Sequence, residues 1–299
     1  MPTPAEQEQI DRFVAKVRDA DEQKARMIAL SELSMIHRRK NPATGEPYHS
    51  TTNRRLITDY RNSLREALGE NAPVLHWLRY SAARVTEYRQ HQQEQREEQH
   101  RNQRPLNAQE HVERAVTLLD YTTRLRWSTA AAIAGVIALT GRRPYEVGCV
   151  GGFDPDPADP TRVIFGGQTK TRDDERAAAV YSIPVLAERD LVLESVARIR
   201  EKVDPELENK VYSQRFGKEV GIVAKRTFGD MNSDPIIPRE LREAYAAVAY
   251  HKFASRKISE VQYYNEVLGH QGTDLNTSLF YFAFYVVDDK MIQQMAVRV

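Results

Sequence analysis

A tract without a single apolar side chain, from Gln90 to Arg101, constrains the fold of this 299-residue chain more than any other feature. It contains only Gln, Glu, His and Arg, and it lies between two stretches in which apolar residues recur at helical spacing. Such a segment cannot lie inside a core, because burial of polar groups without partners costs free energy. It is therefore either an exposed helix or a connector, and it lies at the end of the first half of the chain.

The stretch before this tract has the pattern of an all-helical domain. Apolar residues between Ala5 and Ile36 recur every three or four positions, which predicts one or two amphipathic helices. Residues 41–47, with two prolines and a glycine, interrupt the pattern. Ser50 can cap a further helix that ends at Gly69, and another helical segment begins near Pro73.

The stretch after the tract predicts a mainly helical domain with a small antiparallel sheet. Asn107 followed by Glu110 is typical of a helix start, and we place the domain boundary near residues 102–106, giving domains over 1–104 and 105–299. Residues 130–139 predict a buried helix, and helical patterns recur over 186–202, 239–252 and 261–268. Residues 162–166 and 179–185 predict two strands joined by a turn. The expected fold class is mainly α, of the α+β kind.

Composition excludes several classes of protein. With 41% apolar and 28% charged residues, the chain can bury a core and is not globally disordered. The single cysteine, Cys149, cannot form an internal disulfide, and no Cys/His spacing for structural zinc is present. No run approaches the ~20 apolar residues of a membrane-spanning helix, and the first residues lack a signal-peptide pattern. We therefore expect a cytoplasmic protein without a membrane partner.

The distribution of charge favours a nucleic-acid partner. The formal net charge is only +1, from 43 Lys and Arg against 42 Asp and Glu. Between residues 38 and 104, however, basic residues outnumber acidic ones, and almost all of them are Arg. The planar fork of Arg suits phosphate oxygens, so Arg54, Arg55 and Arg61 are candidate DNA contacts. A set of solvated helix faces would show the same excess.

Five segments after residue 139 carry residues that are suited to phosphodiester chemistry. In chain order they contain Thr140-Gly141-Arg142-Arg143 with Glu146, then Lys170, Arg242, His270 and Tyr281. This order resembles the tyrosine recombinase and type IB topoisomerase superfamily, whose catalytic set is Arg, Lys, His/Lys-x-x-Arg, His/Trp and a nucleophilic Tyr. The resemblance implies that the catalytic residues are Arg143, Lys170, Arg242, His270 and Tyr281.

The sequence more closely resembles the telomere resolvases, or protelomerases, of the compact type that lacks an extra C-terminal domain. The resemblance covers residues 50–285 and is carried by four segments: residues 57–69, 140–147, 241–253 and 268–279. The gap between His270 and Tyr281 is also longer than in an ordinary integrase. This resemblance implies a helical core-binding domain over 1–104 and a tyrosine-recombinase-like catalytic domain over 105–299.

The resemblance also implies a reaction. A homodimer would cut both strands of a palindromic duplex through 3′-phosphotyrosyl intermediates and rejoin each strand to its complement as a hairpin telomere. The reaction would require neither a metal, a cofactor nor ATP, and the protein would act on bacterial or phage DNA in the cytoplasm. In this reaction Arg143 and Arg242 would stabilise the negative charge that develops on the non-bridging oxygens of the phosphate. Lys170 is the candidate acid for the leaving 5′ oxygen, His270 donates to a non-bridging oxygen, and Tyr281 attacks.

Each of these residues has a structural alternative. Arg142 and Arg143 are adjacent, so one of them is expected to form a structural ion pair, and the position in the motif favours Arg143 as catalytic. Lys170 alone could be an exposed turn residue, and His270 alone could end a helix. Tyr281 competes with other tyrosines in this half of the chain: Tyr245, Tyr250, Tyr263, Tyr264 and Tyr285. The order and spacing of the whole set support the catalytic interpretation.

One position departs from the superfamily pattern. Arg239 stands where integrases usually have a histidine or lysine. Because Arg does not lose its proton at neutral pH, it could serve only as a phosphate contact or as a surface residue.

Two other functions remain open on the sequence. One is a conventional site-specific integrase with the same catalytic set, and the other is a non-catalytic DNA-binding protein on the same fold. For the resolvase, Tyr80 and Arg84 are candidates to hold refolded DNA strands. They lie one helical turn apart just before the polar tract, although a packed tyrosine beside a solvated arginine would give the same pattern.

Overall fold

The structure, a computed structural model, describes residues 2–120, 128–169, 178–229, 236–255, 257–269 and 282–287. Contacts between residues divide it into two compact units, one ending at Glu94 and the other starting at Gln95. This division falls within the polar tract, inside a single helix. The boundary near 102–106 and the domains 1–104 and 105–299 stay predictions of the sequence.

The first unit is all-helical. Its helices are α1 (Pro4–Arg18), α2 (Glu22–Arg38), α3 (Ser50–Leu68), the short α4 (Val74–Trp77) and the start of α5 (Ala82–Arg101). The apolar faces of α1 to α4 meet in one core, where the ring of Phe13 packs edge-on against Tyr60. The hydroxyl of Tyr60 donates a 2.5 Å hydrogen bond to the buried carboxylate of Glu32.

Two expectations for this half of the chain are resolved by the structure. The pattern between Ala5 and Ile36 forms two helices, which separate at Asp21, whose side chain caps α2 by accepting from the Lys24 amide. The polar tract forms part of α5, and the described side chains of this helix are exposed or half-buried. Of the two alternatives for the tract, the exposed helix is therefore correct.

The second unit continues from α5 with helices that surround one buried helix. In chain order its elements are β1 (Arg104–Asn107), α6 (Ala108–Leu119), α7 (Thr129–Thr140), a π-helical turn (Glu146–Val150), β2 (Gly152–Pro155), β3 (Arg162–Gly166), β4 (Tyr181–Pro184), α8 (Arg189–Arg200), α9 (Asn209–Phe228), α10 (Pro238–Phe253), α11 (Glu260–Leu268) and β5 (Phe284–Val287). The prediction of a mainly helical fold with a small antiparallel sheet is confirmed.

Helix α7 forms the centre of the second unit. Every residue from Ala130 to Thr140 is buried, as expected for a helix that is apolar on all sides. It packs against α6, α8, α9 and α10. The side chain of Ser128 caps its start. Since α7 ends directly before Arg142 and Arg143, this rigid core helix sets the position of both arginines.

The described strands form two sheets. β2, β3 and β4 form an antiparallel sheet in which Phe153 pairs with Phe165 and Phe165 with Tyr181. β1 and β5 pair in parallel, with Arg104 opposite Phe284. The sequence predicts β3 and β4 but not β2, β1, β5 or helix α9. β1 and β5 are distant in the sequence, and the periodicity of a short segment does not predict a pairing between distant segments.

No helix within the described ranges combines the length and the hydropathy that crossing a bilayer requires.

Candidate active site

Arg143 and Arg242 line one cleft in the second unit. The cleft has a volume of about 380 Å³ and is bordered mainly by polar side chains, among them Arg143, Thr169, Asn209, Ser213, Arg239 and Arg242. Arg143 follows the end of α7, and Arg242 lies in the second turn of α10. The fold thus brings together two arginines that are 99 positions apart in the sequence.

Gly141 ends α7 in a left-handed backbone conformation, with a φ of 68°, and lies two residues before Arg143. A Cβ at this position would overlap the ring of Tyr245 on α10. Both the backbone conformation and the close approach of the two helices therefore require glycine.

The buried carboxylate of Glu146 organises the cleft. Its Oε1 accepts from Arg143 Nη1 at 2.6 Å, and its Oε2 accepts from the Arg143 amide at 2.8 Å. The Thr169 amide and hydroxyl also donate to Oε1, at 2.9 and 2.8 Å. Arg242 Nη1 lies 3.9 Å from Oε2. A single carboxylate thus contacts both predicted catalytic arginines and the residue that precedes Lys170.

Glu146 is ionised in the folded protein. Burial alone would raise its pKa, but the charges of the neighbouring guanidinium groups outweigh burial and lower the pKa from 4.5 to about 2. A buried charge is tolerated only when it is paired and hydrogen-bonded, and these contacts meet that condition. The sequence could have indicated that Glu146 pairs with Arg143, because the two residues are three positions apart within one motif.

We expect Glu146→Gln to destabilise the second unit in a pH-dependent way. Because its pKa is lower in the folded than in the unfolded state, ionised Glu146 stabilises the protein above about pH 4.5, and this contribution is lost as the pH falls toward 2. From this difference in pKa, the loss at neutral pH is on the order of 3 kcal/mol. Urea unfolding of both proteins, followed by circular dichroism at several pH values, measures it.

The exposed Glu219 on α9 offers a matched control. Glu219→Gln is expected to change the free energy of unfolding little at any pH, because surface charges contribute little. A destabilisation by Glu146→Gln that stayed the same at acidic and neutral pH would contradict the assignment of an ionised Glu146.

The expectation that the non-catalytic arginine forms an ion pair is wrong in one respect: Arg143 pairs with Glu146, whereas the described hydrogen bonds of Arg142 go to neutral oxygens of the surrounding fold. The side chain of Arg142 is fully buried, and its guanidinium lies 4.8 Å from the centre of the Phe165 ring.

Arg142 donates to the Thr140 carbonyl through Nε, to the Tyr181 hydroxyl at 2.6 Å through Nη1, and to the Val267 carbonyl through Nη2. These bonds join the end of α7 to β4 and to α11, so Arg142 does not face the cleft that Arg143 lines.

A chain of hydrogen bonds continues from Arg142 to the end of α11. The Tyr181 hydroxyl donates to Gln168 Oε1 at 2.7 Å, and Gln168 Nε2 donates to the Gly269 carbonyl at 2.8 Å. Gly269 has a φ of 72°, and a Cβ there would overlap both side chains. The sequence offered no signal for this link, since Gln168 and Gly269 are distant in the chain.

Lys170, His270 and Tyr281 lie outside the described residues. The residues next to them in the chain are described, however. Thr169 accepts a 2.7 Å bond from Arg143 Nη1 through its carbonyl, Gly269 is held by Gln168, and Phe282 stacks on Tyr264 with ring centres 5.1 Å apart. The catalytic roles of all five residues stay predictions.

Burial excludes two of the competing tyrosines as nucleophiles. Tyr245 is fully buried and donates to the Pro184 carbonyl at 2.8 Å, and Tyr264 is fully buried and donates to Glu260 at 2.7 Å. Burial raises the pKa of both hydroxyls, which disfavours the phenolate that an attack requires. Burial also raises the pKa of Tyr263, to about 12.

The candidate DNA contacts of the first unit separate into two groups. Tyr80, Arg84 and Arg54 line one pocket of about 310 Å³, together with His37, Tyr88 and His91. The ring of Tyr80 stacks on His37 with centres 5.2 Å apart, and the Arg54 guanidinium lies 4.9 Å from the centre of the Tyr88 ring. This combination of aromatic and basic groups is suited to nucleotides.

The other two candidates are engaged within the unit. Arg61 donates through Nη1 to the carbonyls of Leu75 and Leu78. Arg55 pairs with Glu6 at 2.9 Å. These contacts favour a structural role for Arg61 and a partly structural one for Arg55, whose side chain is 47% exposed. Their assignment as DNA contacts remains a prediction.

One sequence expectation about this region is wrong. The spacing predicts Tyr80 and Arg84 on one helix face, but α5 begins at Ala82, so Tyr80 precedes the helix. The reason is local, because Ser81 caps the first turn by accepting from the Arg84 amide through its hydroxyl. The two residues nevertheless line the same pocket.

In the described part of the chain, no group of three or more His, Cys, Asp or Glu side chains is arranged to hold a metal ion.

Comparisons with known proteins agree with this geometry. Residues 102–284 match the model of the telomere resolvase ResT/TelK catalytic domain. No protein of curated function matches the sequence significantly.

Solved structures extend the similarity to the whole chain. A variant of protelomerase TelA covalently complexed with substrate DNA is 27% identical, with a TM-score of 0.83 over 100% of this chain and 93% of that chain. Another variant of TelA, complexed with a DNA hairpin product, is 26% identical, with a TM-score of 0.82 and the same coverage. Protelomerase TelK complexed with substrate DNA shares the fold, with a TM-score of 0.57 at 19% identity over 95% of this chain and 58% of that chain.

Since the match to the catalytic-domain model covers more than half of the chain, and the cleft brings together the two arginines that this family's pattern predicts, the chain belongs to the telomere resolvases, which are DNA breaking and rejoining enzymes.

Proposed function

We propose that this protein cuts both strands of a palindromic duplex and rejoins each strand to its complement, which produces covalently closed hairpin telomeres. The observation that carries this proposal is the cleft in which Glu146 contacts Arg143, Arg242 and Thr169. The relatives support it, because variants of TelA form a covalent complex with substrate DNA and a complex with the hairpin product.

The arginines of the cleft stabilise the negative charge of the reacting phosphate. When the Tyr281 oxygen attacks, the phosphorus becomes pentacoordinate and its non-bridging oxygens gain negative charge. Guanidinium donors placed there lower the barrier because they are already oriented before the charge develops. The buried Glu146 orients Arg143, because its Oε1 accepts from the guanidinium Nη1 and its Oε2 accepts from the Arg143 backbone amide.

The remaining predicted residues complete the proton transfers. Tyr281, whose hydroxyl has an ordinary pKa near ~10, loses its proton as it forms the bond to phosphorus. The bond to the 5′ oxygen breaks, and Lys170 gives that oxygen a proton. His270 donates a hydrogen bond to a non-bridging oxygen. In the second step the 5′ hydroxyl of the opposite strand loses its proton and attacks the phosphotyrosine. The bond between phosphorus and the Tyr281 oxygen breaks, and that oxygen regains a proton, which restores a phosphodiester and frees Tyr281.

This sequence of steps requires neither ATP nor a metal ion. The phosphotyrosyl linkage retains the energy of the phosphodiester bond, so rejoining needs no further energy source. Donors from the protein stabilise the developing charge, which is the role that a metal would otherwise have. A palindromic site has two-fold symmetry, so a homodimer supplies one active site to each strand. The natural setting is replicated bacterial or phage DNA in the cytoplasm.

Incubation of the protein with a labelled linear inverted-repeat duplex, in EDTA and without ATP, tests the function. On a denaturing gel we expect a covalent protein–DNA complex and hairpin products from this single substrate. A conventional integrase would instead join strands of two DNA partners, and a non-catalytic binding protein would form no covalent complex. Inhibition by EDTA would contradict the metal-independent mechanism.

Hairpin formation depends on residues that hold unpaired bases, and the pocket with Tyr80 and Arg84 is the candidate for this role. We expect Tyr80→Ala and Arg84→Ala to leave covalent cleavage near normal but to lower the yield of hairpins. Stacking of a base on tyrosine contributes roughly 1 to 3 kcal/mol, and phosphate contact by Arg adds to it. A time course that counts covalent complex and hairpin separately measures the effect.

Arg18, an exposed residue in the last turn of α1, is a control for loss of charge from the same unit. Arg18→Ala is expected to leave both yields unchanged. An equal loss of cleavage and hairpin in the two pocket variants would refute a separate role in refolding.

A further inference from the structure

We propose that Arg104 is a positioning residue for DNA cleavage, because it holds the segment that follows Tyr281 against α10, the helix that carries Arg242. The proposal deepens the proposed function and rests on it, since it concerns the placement of the nucleophile. Arg104 is the first residue of β1 and lies outside the five segments that carry the predicted catalytic residues.

Arg104 contacts β5 through both its backbone and its side chain. It pairs with Phe284 in the parallel sheet, and its amide donates to the Ala283 carbonyl at 2.8 Å. Its guanidinium lies 4.6 Å from the centre of the Phe284 ring, which is 1% exposed. A cation over an aromatic ring is attracted more strongly when the contact is shielded from water. Arg104 therefore fixes β5 at a point three residues after Tyr281.

The same guanidinium reaches α10. Its Nη2 donates to Glu240 Oε1 at 2.6 Å, and the side chains of Arg104 and Glu240 are only 15% and 23% exposed. The other oxygen of this carboxylate, Oε2, accepts from the Ile237 amide at 2.9 Å at the start of α10. A partly buried pair is screened less than an exposed one, and this carboxylate is also held by the helix start. Arg104 thus joins β5 to the first turn of α10, two residues before Arg242.

The residue directly after Tyr281 is fixed as well. Phe282 is 3% exposed, and its ring centre lies 5.1 Å from that of Tyr264 on α11 and 5.3 Å from that of His100 on α5. Successive Cα atoms are only about 3.8 Å apart, so the reach of Tyr281 depends on how Phe282 and β5 are held. Misplacement of a reacting group by about 1 Å can slow a reaction about 10²-fold.

Single-turnover cleavage at saturating protein tests the positioning role. We expect Arg104→Gln to slow formation of the covalent complex by roughly 10- to 10²-fold, while the affinity for the duplex stays unchanged. Arg104→Lys keeps a cation for Glu240 and for the Phe284 ring and is expected to recover a large part of the rate. Thermal unfolding of each variant shows that it is folded. A rate in Arg104→Gln equal to that of the unmodified protein would overturn the proposal.

Arg101 provides the matched control. It lies three residues before Arg104, is 75% exposed and pairs with Glu97 on the same helix at 3.2 Å. Arg101→Gln removes the same charge and also one ion pair, and it is expected to leave the rate unchanged because exposed pairs contribute little. A slope of log affinity against log salt that fell by about 0.9 in Arg104→Gln would instead identify Arg104 as a phosphate contact and refute the positioning role.

A substrate with sulfur in place of the bridging 5′ oxygen separates attack by Tyr281 from protonation of the leaving group. The bond from the Tyr281 oxygen to phosphorus forms, the tyrosine proton passes to solvent, and the bond from phosphorus to sulfur breaks. Sulfur leaves as a thiolate with the electron pair, so the acid that an alkoxide needs is not required. The slow rate of Arg104→Gln is expected to persist on this substrate. A variant that cleaved it as fast as the unmodified protein would show that Arg104 acts on the leaving group, against the proposal.

Glu240→Gln tests whether Arg104 acts through α10. The amide keeps an oxygen for the Ile237 amide but loses the charge that pairs with Arg104. We expect this variant to cleave more slowly than the unmodified protein, and the double variant with Arg104→Gln to be about as slow as Arg104→Gln alone, because both changes remove one interaction. Losses that multiply in the double variant would contradict an action through this pair.

Failure of the proposed function is distinguishable from failure of this inference. An unmodified protein that forms the covalent complex but no hairpin would refute the proposed function alone, and the rates of the Arg104 variants would still decide the inference. An unmodified protein that forms no covalent complex on either substrate would refute both.

Discussion

Tyr281→Phe is expected to abolish the covalent protein–DNA complex while leaving DNA binding largely intact. The substitution removes one hydroxyl oxygen and changes no charge, so the contacts that bind the DNA backbone are preserved. Without that oxygen no bond to phosphorus can form, and both cleavage and rejoining stop. A denaturing gel of the labelled duplex measures the covalent complex, and a band-shift assay under native conditions measures binding.

Tyr285 provides the matched control for this experiment. It lies on β5, where it pairs with Pro105 of β1, and its side chain is half-buried. Tyr285→Phe removes the same atom from a tyrosine four positions away and is expected to leave cleavage unchanged. A covalent complex formed by the Tyr281→Phe protein, together with its loss in Tyr285→Phe, would reassign the nucleophile to Tyr285.

Arg143→Ala and Arg242→Ala are each expected to slow cleavage by at least ~10²-fold, the effect of removing one oriented donor to a developing negative charge. The expected loss is in the rate of the chemical step, so single-turnover rates at saturating protein measure it. Binding of the duplex is expected to change far less, because many other phosphate contacts remain.

Substitution of the adjacent Arg142 tests whether Arg143, and not Arg142, is the catalytic arginine of this motif. The sequence predicts that Arg142→Ala is milder for cleavage than Arg143→Ala. The structure adds a different expectation for stability, because the buried guanidinium of Arg142 binds groups on α7, β4 and α11. Loss of these bonds is expected to destabilise the protein by about 3 kcal/mol. A folded Arg142→Ala protein that cleaved more slowly than Arg143→Ala would contradict this assignment.

The sequence by itself determined the features that depend on local pattern. A tract of only Gln, Glu, His and Arg cannot be buried, so it predicted an exposed segment, and α5 confirms it. Periodicity predicted α10 and α11 almost to their ends, since apolar side chains on one face of a helix recur at fixed spacing. The spacing of Arg143 and Glu146 and the order of the later motifs pointed to the family that the comparisons confirm.

The tertiary structure decided which neighbours each of these residues has. Arg142 and Arg143 are the same type of residue and adjacent in sequence. Arg142 is nevertheless buried against Phe165, whereas Arg143 lines the cleft. The pairing of β1 with β5, the bond from Gln168 to Gly269 and the contacts of Arg61 with α4 and Leu78 also join segments that are separate in sequence. Such contacts arise when helices and strands pack together, and their free energy depends on three-dimensional distance, which local spacing does not encode.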